Sequence, residues 1–241
     1  MKQIPLAIGP ETVPTFEGFV PGANGAAVQH LLALQLPAAP VYLWGAPGCG
    51  KTHLLRALAH RLQLGGQRVG WFDAEDSLPW LLQPDWTLVV MDRCDAFTPA
   101  AQQAAFALFV EAGTHGVQVA AAGRVPPVDL PLRDDLRTRL AWGHVFALQP
   151  LTEPETRSAL RREADRRGIF LSDEVMDFVL TRFSRDLKTL MQLLDRLDHF
   201  SLARGRQVTV PLLRLMLAED EIAPARLGRL ADPALATGQA S

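Results

Sequence analysis

Cysteine is nearly missing from this chain: Cys49 and Cys94 are the only two in 241 residues. That scarcity leaves little basis for a disulfide framework or a zinc site, and a reducing cytoplasm is the expected compartment. Charge of one sign is also lacking. The formal net charge of −2 supplies no general basic field for nucleic-acid binding, so any DNA involvement is expected to be indirect. No run approaches the roughly 18 apolar residues of a membrane span, and no membrane partner is expected. The start, Met1-Lys2-Gln3-Ile4-Pro5-Leu6, lacks the sustained apolar stretch of a secretory leader. The six histidines show no metal-ligand spacing; His53 and His60 read as packing or exposed residues of one helix. What the chain does have is apolar substance. Hydrophobic residues make up 48% of it, enough for one α/β domain and a small second one.

Five short apolar runs recur at 41–44, 69–72, 88–91, 117–122 and 145–148, with helical spacing between most of them. Alternating strands and helices imply a parallel sheet covered on both faces. After Pro150 only helical patterns remain. Thr152-Glu153-Pro154-Glu155 reads as a capping box with proline in the first turn. Ser172-Asp173-Glu174 and Ser184-Arg185-Asp186 read as further helix starts. The second opens the stripe Leu187, Leu190, Met191, Leu194, Leu197, which has the i, i+3, i+4, i+7 spacing of a packed helix face. The expected organisation is an extended arm over 1–14, an α/β domain over 15–150, an all-helical domain over 151–218, and a poorly ordered tail over 219–241.

The most informative segment is Gly45-Ala46-Pro47-Gly48-Cys49-Gly50-Lys51-Thr52. It follows the first apolar run and precedes His53 and a helical stretch. This is a complete G-x-x-x-x-G-K-[ST] phosphate loop in its strand-to-helix context. Its glycines let the backbone turn N–H groups toward phosphate, and the helix start adds positive charge there. Lys51 is expected to reach the β/γ-phosphates and Thr52 to hold Mg²⁺, so ATP or ADP with Mg²⁺ is the expected cofactor. Leu88-Val89-Val90-Met91-Asp92 ends a buried strand in a carboxylate that suits Mg²⁺ held through water. The next residue is Arg93, where hydrolysing enzymes of this class carry an acid. A guanidinium cannot accept a proton near neutral pH, and Asp95 lies too far along to replace one. The run 117–122 closes in alanines and Gly123, where a polar sensor is common. Weak hydrolysis by this chain alone is the expectation.

These parts together resemble an AAA+ module of the DnaA/Hda family, over about residues 15–218: a P-loop parallel-sheet domain followed by a helical lid. Thr15–Asn24 is similar to the stretch that lines the base pocket, which implies roles for Phe19 and Val20. Leu136-Arg137-Thr138-Arg139-Leu140-Ala141-Trp142-Gly143 resembles the Box VII segment. The match implies that Arg139, rather than its neighbour Arg137, is an arginine finger acting in trans on a partner's nucleotide, with Trp142-Gly143 as a packing anchor behind it. Ser184-Arg185-Asp186-Leu187 resembles the sensor 2 segment and implies Arg185 near the phosphates.

Residues 219–241 are too few for the helix-turn-helix that follows the lid in DnaA itself, and Arg93 departs from DnaA. The remainder is similar to the Hda regulators, which implies DnaA as a partner and stimulation of its ATP hydrolysis. Gln3-Ile4-Pro5-Leu6-Ala7-Ile8 resembles their sliding-clamp peptide, with Ile4, Pro5, Leu6 and Ile8 laid in an apolar groove and Gln3 giving a directional hydrogen bond. A self-hydrolysing helicase-like or clamp-loader-like ATPase and a nucleotide-gated adaptor are the rival readings, and self-association stays open. Arg161, Arg162, Arg166 and Arg167 read as a solvated face balanced by Glu163 and Asp165.

Overall fold

The computed structural model of the chain describes residues 13–183 and 186–227, with side chains as far as Glu219. Contacts divide the described chain between Glu155 and Thr156, and each unit has its own core. In the first, α1 (Gly25–Ala33), β1 (Val41–Trp44), α2 (Lys51–Leu64), β2 (Arg68–Phe72), β3 (Trp86–Met91), α3 (Pro99–Thr114), β4 (Gln118–Gly123), α4 (Asp134–Ala141) and β5 (His144–Ala147) follow one another. All five strands are parallel, in the order β2-β3-β4-β1-β5. Each expected strand forms within a residue or two of its anticipated bounds. Chain order and sheet order differ at one point. The strand at 69–72 lies between the loop strand and the Asp92 strand in the chain, but in the sheet it is the outer edge, and β4 separates β1 from β3.

Side chains alternate between the two faces, as a pleated strand requires. Val41, Leu43, Leu88, Val90, Ala120 and Ala122 pack with Leu31 of α1 and Leu54, Leu55 and Leu58 of α2. Tyr42, Val89, Met91, Val119 and Ala121 pack with Leu108 and Phe109 of α3 and Leu136 and Leu140 of α4. Because both faces of the central strands β1, β3 and β4 are covered, their buried stretches read as apolar runs, whereas the edge strand β5 is mostly exposed. β1 pairs with β4 on one side and β5 on the other. Its carboxyl end is therefore a topological switch point, where chain leaving the sheet opens a crevice.

One side chain ties the entry segment to this scaffold. Arg61 of α2 donates to the carbonyls of Leu31 and Leu32 at the end of α1, at 2.8 and 2.6 Å. Its guanidinium also lies 5.3 Å from the Phe16 ring centre. Two otherwise orphaned helix carbonyls are thereby satisfied, and the segment leading to Phe19 is anchored.

In the second unit the helices are α5 (Glu153–Arg166, which begins before the division), α6 (Asp173–Arg182), α7 (Leu187–Arg204) and α8 (Val210–Leu227). Ser172 caps α6 by accepting from Val175 N–H at 3.3 Å. Asp186 caps α7 by accepting from Thr189 N–H at 3.2 Å. At the start of α5, Glu155 accepts from both the N–H and the hydroxyl of Thr152, at 2.8 and 2.7 Å. The α7 stripe packs as its spacing predicts: Leu190, Leu194 and Leu197 are buried, joined by Leu193. Gly205 ends α7 in the left-handed region, at φ 60°, as a helix C-terminus favours.

The basic face of α5 is largely neutralised. Arg161 pairs with Asp173 at 2.6 Å, Arg166 and Arg167 share Glu163 at 2.6 Å, and Arg167 also reaches Asp195. The Arg166 guanidinium foremost, then that of Arg167, pulls the Glu163 carboxyl down from 4.5 to about 2. A depressed carboxylate contributes stability that is present above its unfolded pKa and is lost as pH falls through the folded one. The melting-temperature gap between the parent protein and Glu163→Gln is therefore expected to be full above about pH 5 and to close between 4.5 and about 2. Thermal melts of the two proteins across that range check this. A gap independent of pH would contradict the assignment.

Candidate functional site

The loop between β1 and α2 owes its shape to backbone that other residues cannot adopt. Gly45, Gly48 and Gly50 have φ of 151°, 79° and 99°, where L side chains are strained. At Gly45 a Cβ would meet the Leu148 carbonyl oxygen at 2.3 Å, and at Gly50 it would meet the Phe19 ring at 2.4 Å. Glycine here is thus required by close packing as well as by φ. Lys51 lies back over its own loop, donating to the carbonyls of Gly45 and Ala46 at 2.7 and 2.9 Å. Its ammonium is 3.6 Å from the buried Cys49 sulfur. Pro47 occupies the exposed tip of the loop.

Thr52, in the first turn of α2, donates its hydroxyl to Asp92 Oδ2 at 2.6 Å. Asp92 is only 3% exposed and also accepts from the Arg93 N–H at 2.9 Å. A buried carboxylate beside a threonine hydroxyl, both at the mouth of a glycine-shaped loop, suits a divalent cation bound together with phosphate. Phe19 and His53 meet on the other side of the loop with ring centres 5.5 Å apart. The His53 ring is 2.8 Å from the Thr15 carbonyl oxygen, and its burial lowers its pKa, with that hydrogen bond opposing the shift. Val20 is half-buried beside them in sequence. Asn24, at the end of the Thr15–Asn24 stretch, is buried; it donates to Gln149 C=O and accepts from Gln149 N–H, at 2.9 and 2.7 Å. That pair fastens the entry segment to the chain leaving β5.

Arg93 has a left-handed backbone, φ 52°, the only non-glycine residue so placed among the described residues. Its guanidinium pairs with Asp73, just past β2, and with Glu75 at 3.0 Å. Those two carboxylates raise its pKa above the ordinary arginine value, so it stays charged and turned to the β2 side. Asp95 is likewise engaged, accepting from the backbone N–H of Arg124 at 2.9 Å and pairing with its guanidinium. The Tyr42 hydroxyl would lie 2.1 Å from a Cβ at Gly123. It donates to the Val125 carbonyl at 3.0 Å, so the end of β4 has no room for a polar sensor.

Arg139 lies in the last turn of α4, with its guanidinium carbon 5.1 Å from the Phe106 ring centre and 6.0 Å from that of Phe109 on α3. Arg137 pairs with Asp134, and Arg133 with Asp135. Among the described residues no carboxylate pairs with Arg139. The expectation for Trp142 needs correction: at 76% exposure it is no packing anchor, because α4 turns its inward face at Leu136 and Leu140. The packed member of the pair is Gly143, where a Cβ would meet the Pro40 carbonyl oxygen at 1.9 Å. Arg185, Gln3, Ile4, Pro5, Leu6 and Ile8 lie outside the described residues. Also among the described residues, no cluster of acids, histidines and cysteines forms a metal site, and no helix is long and apolar enough to cross a membrane.

Residues 11–79 match the bacterial DnaA ATPase domain, and residues 153–217 match the lid domain of Hda. The chain belongs to the DnaA/Hda family. Its fold is similar to domain III of the Thermotoga maritima replication initiation protein DnaA, at 22% identity over 86% of this chain and 97% of that one, with a TM-score of 0.71. AMPPCP-bound DnaA from Aquifex aeolicus is similar at 20% identity, 76% and 65% coverage, and a TM-score of 0.62. The Thermotoga maritima RuvB Holliday junction branch migration motor is similar at 17%, 79%, 64% and 0.55. At these identities the solved structures speak for the fold, and the two domain matches speak for the family.

The Trp142-Gly143 pair makes a direct stability test. Trp142→Ala is expected to change unfolding free energy by no more than about 0.5 kcal/mol, as at other exposed positions. Gly143→Ala is expected to cost about 2 kcal/mol or more, since the new methyl meets backbone that cannot shift freely. Urea unfolding of both variants checks this, and the reverse order would mean that Trp142 is buried in solution.

Proposed function

We propose that this chain is a negative regulator of chromosomal replication initiation. It binds ADP or ATP with Mg²⁺ and engages DnaA, and it stimulates hydrolysis of the ATP that DnaA carries by offering Arg139 in trans. Residues 3–8, with Gln3, Ile4, Pro5, Leu6 and Ile8, hold it at the DNA polymerase sliding clamp, so contact with DNA is indirect, and it works in the cytoplasm. The family membership supports the DnaA partnership. The observation that carries the catalytic reading is the pairing pattern of the arginines at α4: Arg133 and Arg137 are neutralised by neighbouring aspartates, whereas no carboxylate among the described residues pairs with Arg139.

In this reading the chain's own nucleotide is structural. The loop from Gly45 to Thr52, with His53, would hold the phosphates, Lys51 would exchange its carbonyl partners for the β/γ-phosphates, and Thr52 and Asp92 would hold Mg²⁺, the latter through water. Phe19 and Val20 flank the base, and Arg185 senses the phosphates. Bound Mg²⁺ would neutralise phosphate charge. The position after Asp92 offers no base to activate water, because it is Arg93, locked to Asp73 and Glu75. Hydrolysis therefore belongs to the partner. There a guanidinium neutralises charge that grows on the transferring phosphoryl group, worth about 10³–10⁵ in rate in known cases.

The test is ATP hydrolysis by DnaA with clamp-loaded DNA. Arg139→Ala is expected to abolish stimulation, while Arg137→Ala keeps most of it. Stimulation that survives Arg139→Ala sinks the finger, and a protein that binds clamp and DnaA without stimulating hydrolysis is an adaptor. Single-turnover hydrolysis of ATP by this protein alone is expected to be far slower than an ordinary ATPase; a fast rate would restore the self-hydrolysing reading.

A further inference from the structure

We infer that Phe106, with Phe109 behind it, is a positioning residue for the finger: the aromatic pair on α3 holds the Arg139 guanidinium poised for the partner's phosphate. The inference rests on the proposed trans mechanism. Arg139 sits on the shoulder of α4, between the fully buried Leu136 and Leu140 and the solvent-facing Thr138 and Trp142. Its guanidinium carbon is 5.1 Å from the Phe106 centre and 6.0 Å from the Phe109 centre, within the range of cation–π attraction.

Phe109 is 3% exposed and belongs to the core, so it fixes the floor. Phe106 is only half-buried and forms the wall. Arg133 lies 5.8 Å from the same Phe106 ring, but its charge is taken by Asp135 at 2.7 Å. Arg139 is the guanidinium there that remains free to leave for an anion.

An aromatic wall does what a carboxylate cannot. An ion pair would orient a guanidinium but would have to be broken before it reached phosphate, and it would cancel the charge that the transition state needs. A ring restricts the long side chain to a few rotamers, keeps its charge intact, and leaves its N–H edges available for oxygen. In the partner's site, water attacks the γ-phosphorus, the bond from that phosphorus to the bridging β-phosphate oxygen breaks, and ADP leaves with inorganic phosphate, which keeps the water's oxygen and one proton while the other passes to solvent. Arg139 neutralises charge on the phosphoryl oxygens during that step and exchanges no proton.

The experiment compares Phe106→Leu, Phe106→Tyr and Arg139→Ala in DnaA-ATP hydrolysis with clamp-loaded DNA, titrating this protein against a fixed amount of DnaA. Leucine keeps an apolar side chain of similar bulk but removes the ring; tyrosine keeps the ring. Phe106→Leu is expected to lower the plateau rate about 2- to 5-fold, the scale of a cation–π contact at an exposed site, with half-saturation unchanged. Phe106→Tyr is expected to keep the parent plateau. If Arg139→Ala abolishes stimulation but Phe106→Leu leaves the plateau intact, the positioning role is wrong and the trans finger stands. A shift of half-saturation alone would make Phe106 a contact residue and overturn the inference. If Arg139→Ala has no effect, the functional reading itself falls, and this inference with it.

Discussion

Asp92 is a carboxylate buried just past a strand that ends in the apolar run Leu88-Val89-Val90-Met91, and a buried charge is costly unless it is paired. The Thr52 hydroxyl and the Arg93 amide supply its hydrogen bonds, and the first of these spans from α2 to β3. The loop, the helix it opens and the second strand from it are thereby tied at one point. The glycines then have no freedom to spare: Gly45 is pressed on Leu148 and Gly50 on Phe19. The entry segment is held by Asn24 and Arg61, so the wall beside the loop moves only with the sheet itself.

Around that point the chain has traded hydrolytic parts for ion pairs. Arg93 is turned toward Asp73 and Glu75, Asp95 holds Arg124, and the Tyr42 hydroxyl fills the space beside Gly123. Arg93 and Asp95 follow the carboxyl end of β3, and Gly123 ends β4, where an ATPase would present groups to water and γ-phosphate. Here they satisfy one another. A site so arranged is in keeping with the proposal that this chain holds a nucleotide rather than consuming it.

The same economy governs the arginines. Arg161, Arg166 and Arg167 are drawn into pairs with Glu163, Asp173 and Asp195, which leaves less of the cationic face that the sequence displays. Glu163 takes the larger share, and among the described residues Asp165 does not enter the ion pairs around it. Arg139 is the contrary case: among the described residues it is supported by rings rather than by a counter-ion. What separates the two groups is what lies across from each residue, a matter of helix packing and not of local composition.

Local sequence was enough for whatever depends on neighbours in the chain. The phosphate loop, the five strands, the caps at Ser172 and Asp186 and the α7 stripe were all legible, because backbone preference, capping and side-chain periodicity act over a few residues. Two domain matches then carry the family. Tertiary structure alone decided that β4 and not β2 separates β1 from β3, that Trp142 is exposed while Gly143 is packed, and that Arg93 is bound to carboxylates 18 and 20 residues away. It also decided that Phe106 lies beneath Arg139. These are long-range juxtapositions, set by how the strands are ordered and how α3 and α4 pack on the sheet. No residue type or spacing along the chain encodes such a meeting by itself.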